Sequence, residues 1–294
     1  MPSVPNLLAS IPSPDSGTVD IGPLPVHMYG LLLAVGVLVA AWIAERRWTA
    51  RGGDPKTFND MAVWIVIGGV VGARVYHVIS DYQLFTDDWL RAFQIWKGGL
   101  SIWGVIAGGA IAVIVMTRIK HVGTLVLMDC IAPGLLAAQA IGRWGNYFNQ
   151  ELFGGPTNLP WGLEISPAKR PPGFLDVSTF HPTFLYESLY CLFLLGVLLA
   201  VERRFRLRQG QALAFYLATY TFGRSFFEYL RVDPANEILG QRVNSWVSAI
   251  VCILSIVWFV WLGRRGKEYP PASVPADRGA AAVPTREEVP DRVG

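Results

Sequence analysis

Residues 244–263 read NSWVSAIVCILSIVWFVWLG, a stretch without a single charged side chain. An α-helix needs about 20 mostly apolar residues to cross the hydrocarbon core of a bilayer. Six further segments are apolar over similar lengths, namely 25–44, 59–80, 101–118, 123–143, 183–202 and 211–230. The sequence therefore predicts an all-α, polytopic integral membrane protein with about seven transmembrane helices.

The composition agrees with a membrane location. Of the 294 residues, 52% are hydrophobic and only 16% are charged, whereas soluble domains carry about 25% charged residues. A net charge of +3 with scattered basic residues argues against binding of nucleic acid. The three cysteines are dispersed through apolar segments, so neither a disulfide framework nor a zinc site is expected. We expect no metal and no cofactor.

The distribution of Lys and Arg predicts the orientation. Thirteen lie in the loops after spans one, three and five and after span seven, against six in the loops on the other side. By the positive-inside rule the N-terminus is outside and the C-terminus is cytoplasmic. We divide the chain into an extracytoplasmic arm (1–22), a seven-helix domain (23–265) with an ordered outer loop at about 144–181, and a disordered cytoplasmic tail (266–294).

Charged residues within the predicted spans are candidates for function, because each costs about 2.5–3.5 kcal/mol at the bilayer centre on insertion scales. They are Arg74, Asp129, Arg143, Glu187, Arg224 and Glu228. Structural pairing of an arginine with a carboxylate is the alternative for any one of them. For three arginines together we favour a phosphate ligand, because the planar guanidinium suits phosphate and the carboxylates do not obviously share their depth or face.

The most informative motif is GRWGNYFNQELFG at 142–154, where the fourth span meets the outer face. Two asparagines, an arginine and a glutamate between glycines are unsuited to a lipid-facing surface, and they indicate a polar site that a ligand approaches closely. A well-capped re-entrant turn is the alternative. Two further motifs are HPTFLYE at 181–187 and YTFGR at 220–224, which continues to Glu228 and Arg231. The first span adds Tyr29-Gly30.

These motifs, in this order, resemble the prolipoprotein diacylglyceryl transferases of bacteria over roughly residues 20–265. The resemblance implies a seven-helix, multi-pass protein of the bacterial cytoplasmic (inner) membrane with its active site facing the extracytoplasmic side. It implies transfer of the diacylglyceryl group of phosphatidylglycerol to the lipobox cysteine of a preprolipoprotein, forming a thioether and releasing glycerol phosphate. The partners implied are phosphatidylglycerol, lipobox signal peptides and membrane lipid, and a monomer is expected.

The resemblance and the intramembrane charges together give the candidate site. The predicted catalytic residues are Arg143, Arg224, Glu151 and Tyr29. The predicted substrate-binding residues are Asn146, Asn149, Gly154, Tyr220, Arg74, Trp103, His181 and Glu187. In our hypothesis the arginines stabilise the leaving phosphate and lower the pKa of the thiol, and Asn146 and Tyr29 orient the headgroup glycerol. Glu151 positions Arg143 or accepts the thiol proton.

One residue departs from the family pattern. Many relatives carry a histidine at the start of the third span that is a candidate general base, whereas this chain has Trp103 in its place. Tryptophan cannot abstract a proton, so either another group acts as the base or no histidine base is needed. His27 and His181, on the outer side, are the possible substitutes.

Two other functions fit a membrane protein with buried arginines. One is a phospholipid or peptide transporter, although no inverted repeat is evident and the polar motifs gather on one side. The other is a non-catalytic phospholipid-binding scaffold. Retention of costly buried charges argues against loss of activity.

Overall fold

Seven α-helices of 18 residues or more make up most of the structure, a computed structural model that describes residues 10–22, 24–95, 98–233 and 237–269. They are α1 (Met28–Ala50), α2 (Pro55–Ser80), α3 (Ile102–Ile119), α4 (Thr124–Asn149), α5 (Thr183–Arg204), α6 (Gln211–Leu230) and α7 (Val243–Arg265). Within the described residues, all except α6 are long and apolar enough to cross a membrane. The all-α class and a multi-pass membrane protein are thus confirmed.

In the part of the chain that the structure describes, short strands pair as three antiparallel two-stranded ribbons. They are β1 (Thr18–Ile21) with β2 (Leu24–His27), β3 (Leu163–Glu164) with β4 (Thr179–Phe180), and β5 (Glu237–Ile238) with β6 (Gln241–Arg242). All three lie in the segments before α1, between α4 and α5, and between α6 and α7. The ribbons therefore gather at one end of the helix bundle, which we name the site end.

The helix boundaries agree with the predicted spans to within a few residues, with some exceptions. The opposite end of the bundle holds the Lys and Arg residues of the loops after α1, α3 and α5 and after α7, and we name it the basic end. There α1 continues to Ala50 and α2 begins at Pro55. The largest difference at the site end is in α4, which continues from the predicted end at residue 143 to Asn149. The first half of the 142–154 motif is consequently helical rather than a re-entrant turn.

Helix α4 lies at the centre of the bundle and packs against α1, α5 and α6. Gly36 and Gly134 allow the close approach of α1 and α4, because a Cβ on Gly134 would lie 2.7 Å from the carbonyl oxygen of Ala40. One apolar cluster joins α4, α5 and α6, and a second joins the basic ends of α1, α2, α3 and α4. The core thus holds the ends of α4, α5 and α6 at fixed positions relative to one another.

Helices α2 and α3 pack mainly against each other through four glycines. A Cβ on Gly72 would lie 2.4 Å from the backbone oxygen of Gly104, and a Cβ on Gly108 would lie 2.2 Å from that of Gly68. Small residues spaced by four are typical of helix contacts within membranes, since they let two backbones approach. The two helices therefore form a tight antiparallel pair.

A small cap covers the site end between α4 and α5. Its apolar core consists of Phe153, Leu163, Ile165, Phe180 and Phe184. The amide side chain of Gln150 ties the cap to the N-terminal arm, donating to the carbonyl of Pro14 (2.8 Å) and accepting from the amide of Ser166 (2.8 Å). The sequence predicted an ordered outer loop at about 144–181, and in the structure residues 144–149 of that range belong to α4.

The two ends of the chain were predicted to be an arm at 1–22 and a tail at 266–294. Residues 10–22 pack along the cap, where Ile11 bridges to Leu163. Beyond α7 the backbone is still tied to the bundle, because the carbonyls of Lys267 and Glu268 accept hydrogen bonds from Gln209. The predicted tail from residue 270 onward lies outside the described residues, as do residues 1–9.

Candidate active site

Two arginines from different helices share one buried carboxylate at the site end. Glu187, in the second turn of α5, lies 2.7 Å from Nη2 of Arg143 on α4 and 3.1 Å from Nη1 of Arg224 on α6. The side chain of Glu187 is 4% exposed, while those of the arginines are 16% and 15% exposed. Two positive groups are thus held side by side, each with a part that remains accessible.

The pairing of these arginines corrects the sequence interpretation. We expected the carboxylates not to share depth and face with the arginines, but Glu187 does so with both. The reason is the antiparallel packing of α4, α5 and α6, which places the end of one helix beside the start of the next. Glu151, expected to position Arg143, forms no ion pair with it in the described part of the chain, and Glu187 takes that place.

The asparagines of the 142–154 motif both bind Glu151. Its Oε1 accepts from Nδ2 of Asn146 (3.0 Å) and from Nδ2 of Asn149 (3.2 Å). Gln150 ends α4 in the left-handed conformation, with φ of 51°, which turns the chain so that Glu151 folds back over the last helical turn. The motif therefore forms a compact polar turn one helical turn beyond Arg143.

The packing of Tyr29 explains why a glycine, Gly145, lies inside α4. A Cβ at this position would lie 2.3 Å from a ring carbon of Tyr29 on α1. The absence of a side chain lets the tyrosine ring lie directly against the α4 backbone, between Arg143 and the polar turn. The ring of Tyr29, a predicted catalytic residue, thus lies beside the last turns of α4.

Gly154 and His181 form the junction between the cap and α5. The amide of Gly154 donates to the carbonyl of His181 (2.9 Å), and a Cβ on Gly154 would lie 2.8 Å from the Cβ of His181. The ring of His181 is hydrogen-bonded to the hydroxyl of Tyr186 (3.2 Å), which also accepts from Nε1 of Trp161 (2.9 Å). These contacts fix the backbone and the ring of His181 beside the site.

Glu228 contributes to the site, although it was not among the predicted site residues. Its Oε2 lies 2.6 Å from Nη2 of Arg224 and 3.3 Å from Nη1 of Arg231, and its side chain is 1% exposed. The spacing of four residues between Arg224 and Glu228 was the signal available in the sequence. Arg231 is the C-cap residue of α6, so its contact with Glu228 depends on how the chain leaves that helix.

Three other predicted site residues, Tyr220, Trp103 and Arg74, lie in three different environments. Tyr220 lies one turn before Arg224 and stacks on Tyr216 at 5.8 Å between ring centroids. Trp103 is in the first turn of α3 and is 42% exposed. Arg74 donates to the carbonyls of Arg91, Ala92, Gly98 and Gly99 at 2.5–3.0 Å. Its guanidinium thus organises the loop before α3, and the structure does not bring it to the pair at Glu187.

The remaining chemistry of the site is limited. His27 is at the N-cap position of α1 without a capping side-chain hydrogen bond, and its Nδ1 is hydrogen-bonded to the hydroxyl of Thr18 (3.0 Å). In the described residues no group of three or more His, Cys, Asp or Glu side chains is placed to hold a metal ion. The arrangement of fixed cations beside a polar turn can bind an anionic headgroup and stabilise a departing phosphate.

Comparisons with known proteins identify relatives of this chain. The family model described as prolipoprotein diacylglyceryl transferase matches residues 17–261. A phosphatidylglycerol–prolipoprotein diacylglyceryl transferase of Streptomyces griseus is 49% identical over 86% of this chain and 78% of its own length. One from Streptomyces coelicolor is 47% identical, covering 94% and 82%, and one from Cutibacterium acnes is 45% identical, covering 92% of each.

Proposed function

The chain belongs to the prolipoprotein diacylglyceryl transferase family, and on that premise we propose that it transfers diacylglyceryl from phosphatidylglycerol to the lipobox cysteine of a preprolipoprotein. The cysteine sulfur forms a bond to the terminal glycerol carbon of the diacylglyceryl group. The bond between that carbon and the phosphate oxygen breaks, and the electron pair leaves with the phosphate. The thiol proton ends on the released glycerol phosphate, so the products are a thioether and a phosphate monoester.

The observation that carries this proposal is the shared carboxylate of Glu187. It fixes Arg143 and Arg224 next to each other at 2.7 and 3.1 Å while leaving part of each side chain accessible. Two guanidinium groups in a fixed arrangement bind a phosphate before reaction and stabilise its growing negative charge as the carbon–oxygen bond breaks. Because the protein already holds them in place, no reorganisation is needed during the reaction.

The polar turn is suited to hold the headgroup glycerol. Asn146, Asn149 and Glu151 present amide and carboxylate groups next to the ring of Tyr29. Hydrogen bonds to the glycerol hydroxyls would align the phosphate ester with the incoming sulfur. Such alignment of two reactants can supply up to about 7–11 kcal/mol of the barrier reduction in favourable cases.

Activation of the thiol does not require a histidine in this proposal. A free cysteine has a pKa of about 8.5, and neighbouring cations lower it, so Arg143 and Arg224 increase the thiolate fraction. Glu151 is the carboxylate that can accept the proton. His27 and His181 remain the alternatives for a base.

We further propose seven transmembrane spans, with the site facing the extracytoplasmic side of the bacterial inner membrane. Helix α6 is not among the helices apolar enough to be identified as spans; it carries Arg224 and Glu228, and both are paired inside the bundle. Ionisable groups in membranes commonly pair with each other and face the bundle interior. The excess of Lys and Arg at the basic end supports a cytoplasmic C-terminus. One copy contains every residue of the site, which supports a monomer.

The test uses the full chain purified in detergent, with phosphatidylglycerol and a synthetic lipobox peptide containing one cysteine. We expect the peptide to gain the mass of a diacylglyceryl group and glycerol phosphate to be released in equal amount. In Arg143→Gln, removal of a charged donor to the phosphate lowers kcat/KM by about 10²–10³-fold.

Arg91→Gln is the matched control, because Arg91 lies on the same side, is 59% exposed and pairs only with Asp88 among the described residues. Its activity is expected to equal that of the wild-type protein. Binding of phosphatidylglycerol without any mass gain would refute the transferase and favour the phospholipid-binding scaffold. Movement of the lipid across vesicles without reaction would favour the transporter.

A further inference from the structure

Glu228 faces two groups of cations at once. While its Oε2 contacts Arg224 and Arg231, its Oε1 lies 3.0 Å from Nη1 of Arg242 and 3.3 Å from Nδ2 of Asn244. Arg242 ends β6 and is the N-cap residue of α7, and Asn244 lies in the first turn of α7. One buried carboxylate therefore connects the site arginine to a helix that contributes no predicted site residue.

Arg242 is held in this position from its other side by Asp233. Its Nη2 donates to the carbonyl oxygen of Asp233, and its Nη1 lies 3.6 Å from Oδ1 of that residue. Asp233 is also bound by Arg231 through two hydrogen bonds of 2.7 and 2.8 Å. The side chain of Arg242 is only 14% exposed, so it is an internal part of the site and not a free surface charge.

The charges of this network do not balance. The arginines are Arg143, Arg224, Arg231 and Arg242, and the carboxylates paired with them are Glu187, Glu228 and Asp233. The ion-paired network therefore has one net positive charge, which one phosphodiester anion would neutralise. Without Arg242 the network would be neutral and would attract the anion less.

The sharing of Glu228 has a second consequence. A carboxylate that accepts from three guanidinium groups and an amide neutralises each of them less than it would neutralise a single partner. With Arg242 absent, the charge of Glu228 would be directed at Arg224 and would compete with an incoming phosphate for the same donors. Arg242 thus keeps Arg224 available to the substrate.

We propose that Arg242 is a positioning residue that acts through Glu228 to keep Arg224 available for the anionic headgroup of phosphatidylglycerol. The inference rests on the proposed function for the identity of the lipid. It assigns a role in lipid recognition to the N-terminal end of α7, where Arg242 is the N-cap residue. Arg242 touches no substrate in this role.

The test compares Arg242→Gln, which removes the charge, with Arg242→Lys, which keeps it. We expect KM for phosphatidylglycerol to rise about tenfold in Arg242→Gln with kcat changed less than about threefold, because substrate attraction is lost and the reacting groups remain. Arg242→Lys recovers most of the affinity. Arg91→Gln, with the same loss of charge at an exposed site, leaves KM unchanged.

Direct binding separates this inference from the proposed reaction. Titration of the detergent-solubilised full chain with dioctanoylphosphatidylglycerol and with zwitterionic dioctanoylphosphatidylcholine measures the charge dependence. Arg242→Gln is expected to lose about tenfold in Kd for the anionic lipid and to leave the zwitterionic lipid unaffected. Equal weakening for both lipids, or no recovery in Arg242→Lys, would mean that Arg242 only supports the fold.

A wild-type protein that binds phosphatidylglycerol without transfer would refute the proposed function. The inference on Arg242 would still be decided by the two Kd values. Unchanged affinity for the anionic lipid in a folded Arg242→Gln protein, with the melting temperature of the wild type, would overturn it.

Discussion

Replacing Glu187 with glutamine removes the one negative charge that joins Arg143 to Arg224. The substitution keeps the size of the side chain and its position on α5, so the packing of the helix is preserved. It leaves Arg143 without an ion pair among the described residues, while Arg224 keeps Glu228 at 2.6 Å. The two guanidinium groups then repel each other without a compensating charge between them.

The expected cost follows from the burial of Glu187, whose side chain is 4% exposed. Loss of one partner of a buried ion pair costs about 3–5 kcal/mol, because an uncompensated charge stays buried. Since Arg224 retains a partner, we expect the low end, about 3 kcal/mol. In a chain of 294 residues that loss lowers Tm by about 5 °C.

The same reasoning predicts an unusual dependence on lipid. A phosphate bound between Arg143 and Arg224 replaces the missing charge, and a ligand that binds only the folded protein stabilises it. Phosphatidylglycerol should therefore raise the Tm of Glu187→Gln by more than it raises that of the wild type. The transfer rate should still fall by about 10²-fold, since the arginines are no longer held in place.

The assay is thermal unfolding of the purified full chain in detergent, with and without phosphatidylglycerol, together with the rate of transfer to a lipobox peptide. Glu237→Gln, which removes an exposed carboxylate from β5, controls for the change in net charge. A Tm of Glu187→Gln within about 2 °C of the wild type, or full activity, would refute the role given to the shared carboxylate.

Three further substitutions test other parts of the structure. Gly145→Ala drives a methyl group into the tyrosine ring at 2.3 Å and should reduce the transfer rate, whereas Gly142→Ala, whose methyl meets only ordinary contacts, should not. Gly104→Ala places a methyl 2.2 Å from a backbone oxygen of α2 and should lower stability to heat by about 1–3 kcal/mol, while Gly109→Ala, with open space around it, should leave unfolding unchanged. Burial opposes the ionisation of Asp233, but hydrogen bonds and charge from two neighbouring arginines lower its pKa. The contribution of Asp233 to stability is therefore present above its unfolded pKa of about 3.9 and is lost as the pH falls through the lower folded pKa. Between pH 6 and pH 3, the stability of Asp233→Asn to unfolding should fall less than that of the wild type.

The approximate positions of the helices could be predicted because membrane helices are read from local composition. The charge-free stretch at 244–263 lies within α7, and the predicted span at 183–202 lies within α5. Helix α6 is the instructive exception. It was predicted as a span, yet its hydropathy falls short because Arg224 and Glu228 lie within it, and their cost is met by partners from other helices.

The candidate site was recognisable for a similar reason. Polar residues within a short motif stay together in any fold, so the contacts of Asn146 and Asn149 with Glu151 depend only on the turn at Gln150. The sequence shows that the motif contains a glycine at position 145, but it does not show why. That its purpose is to admit Tyr29, more than a hundred positions earlier, was not visible.

The sequence by itself determined the helical class, the membrane environment and the polar motif, because these follow from composition and short spacings along one chain. Only the tertiary structure decided that Glu187 joins Arg143 to Arg224 and that Arg242 reaches Glu228 from α7. Ion pairs between helices depend on the register and rotation of each helix, which the packing of α4, α5, α6 and α7 sets. A pattern of residues within one segment carries no information about that register.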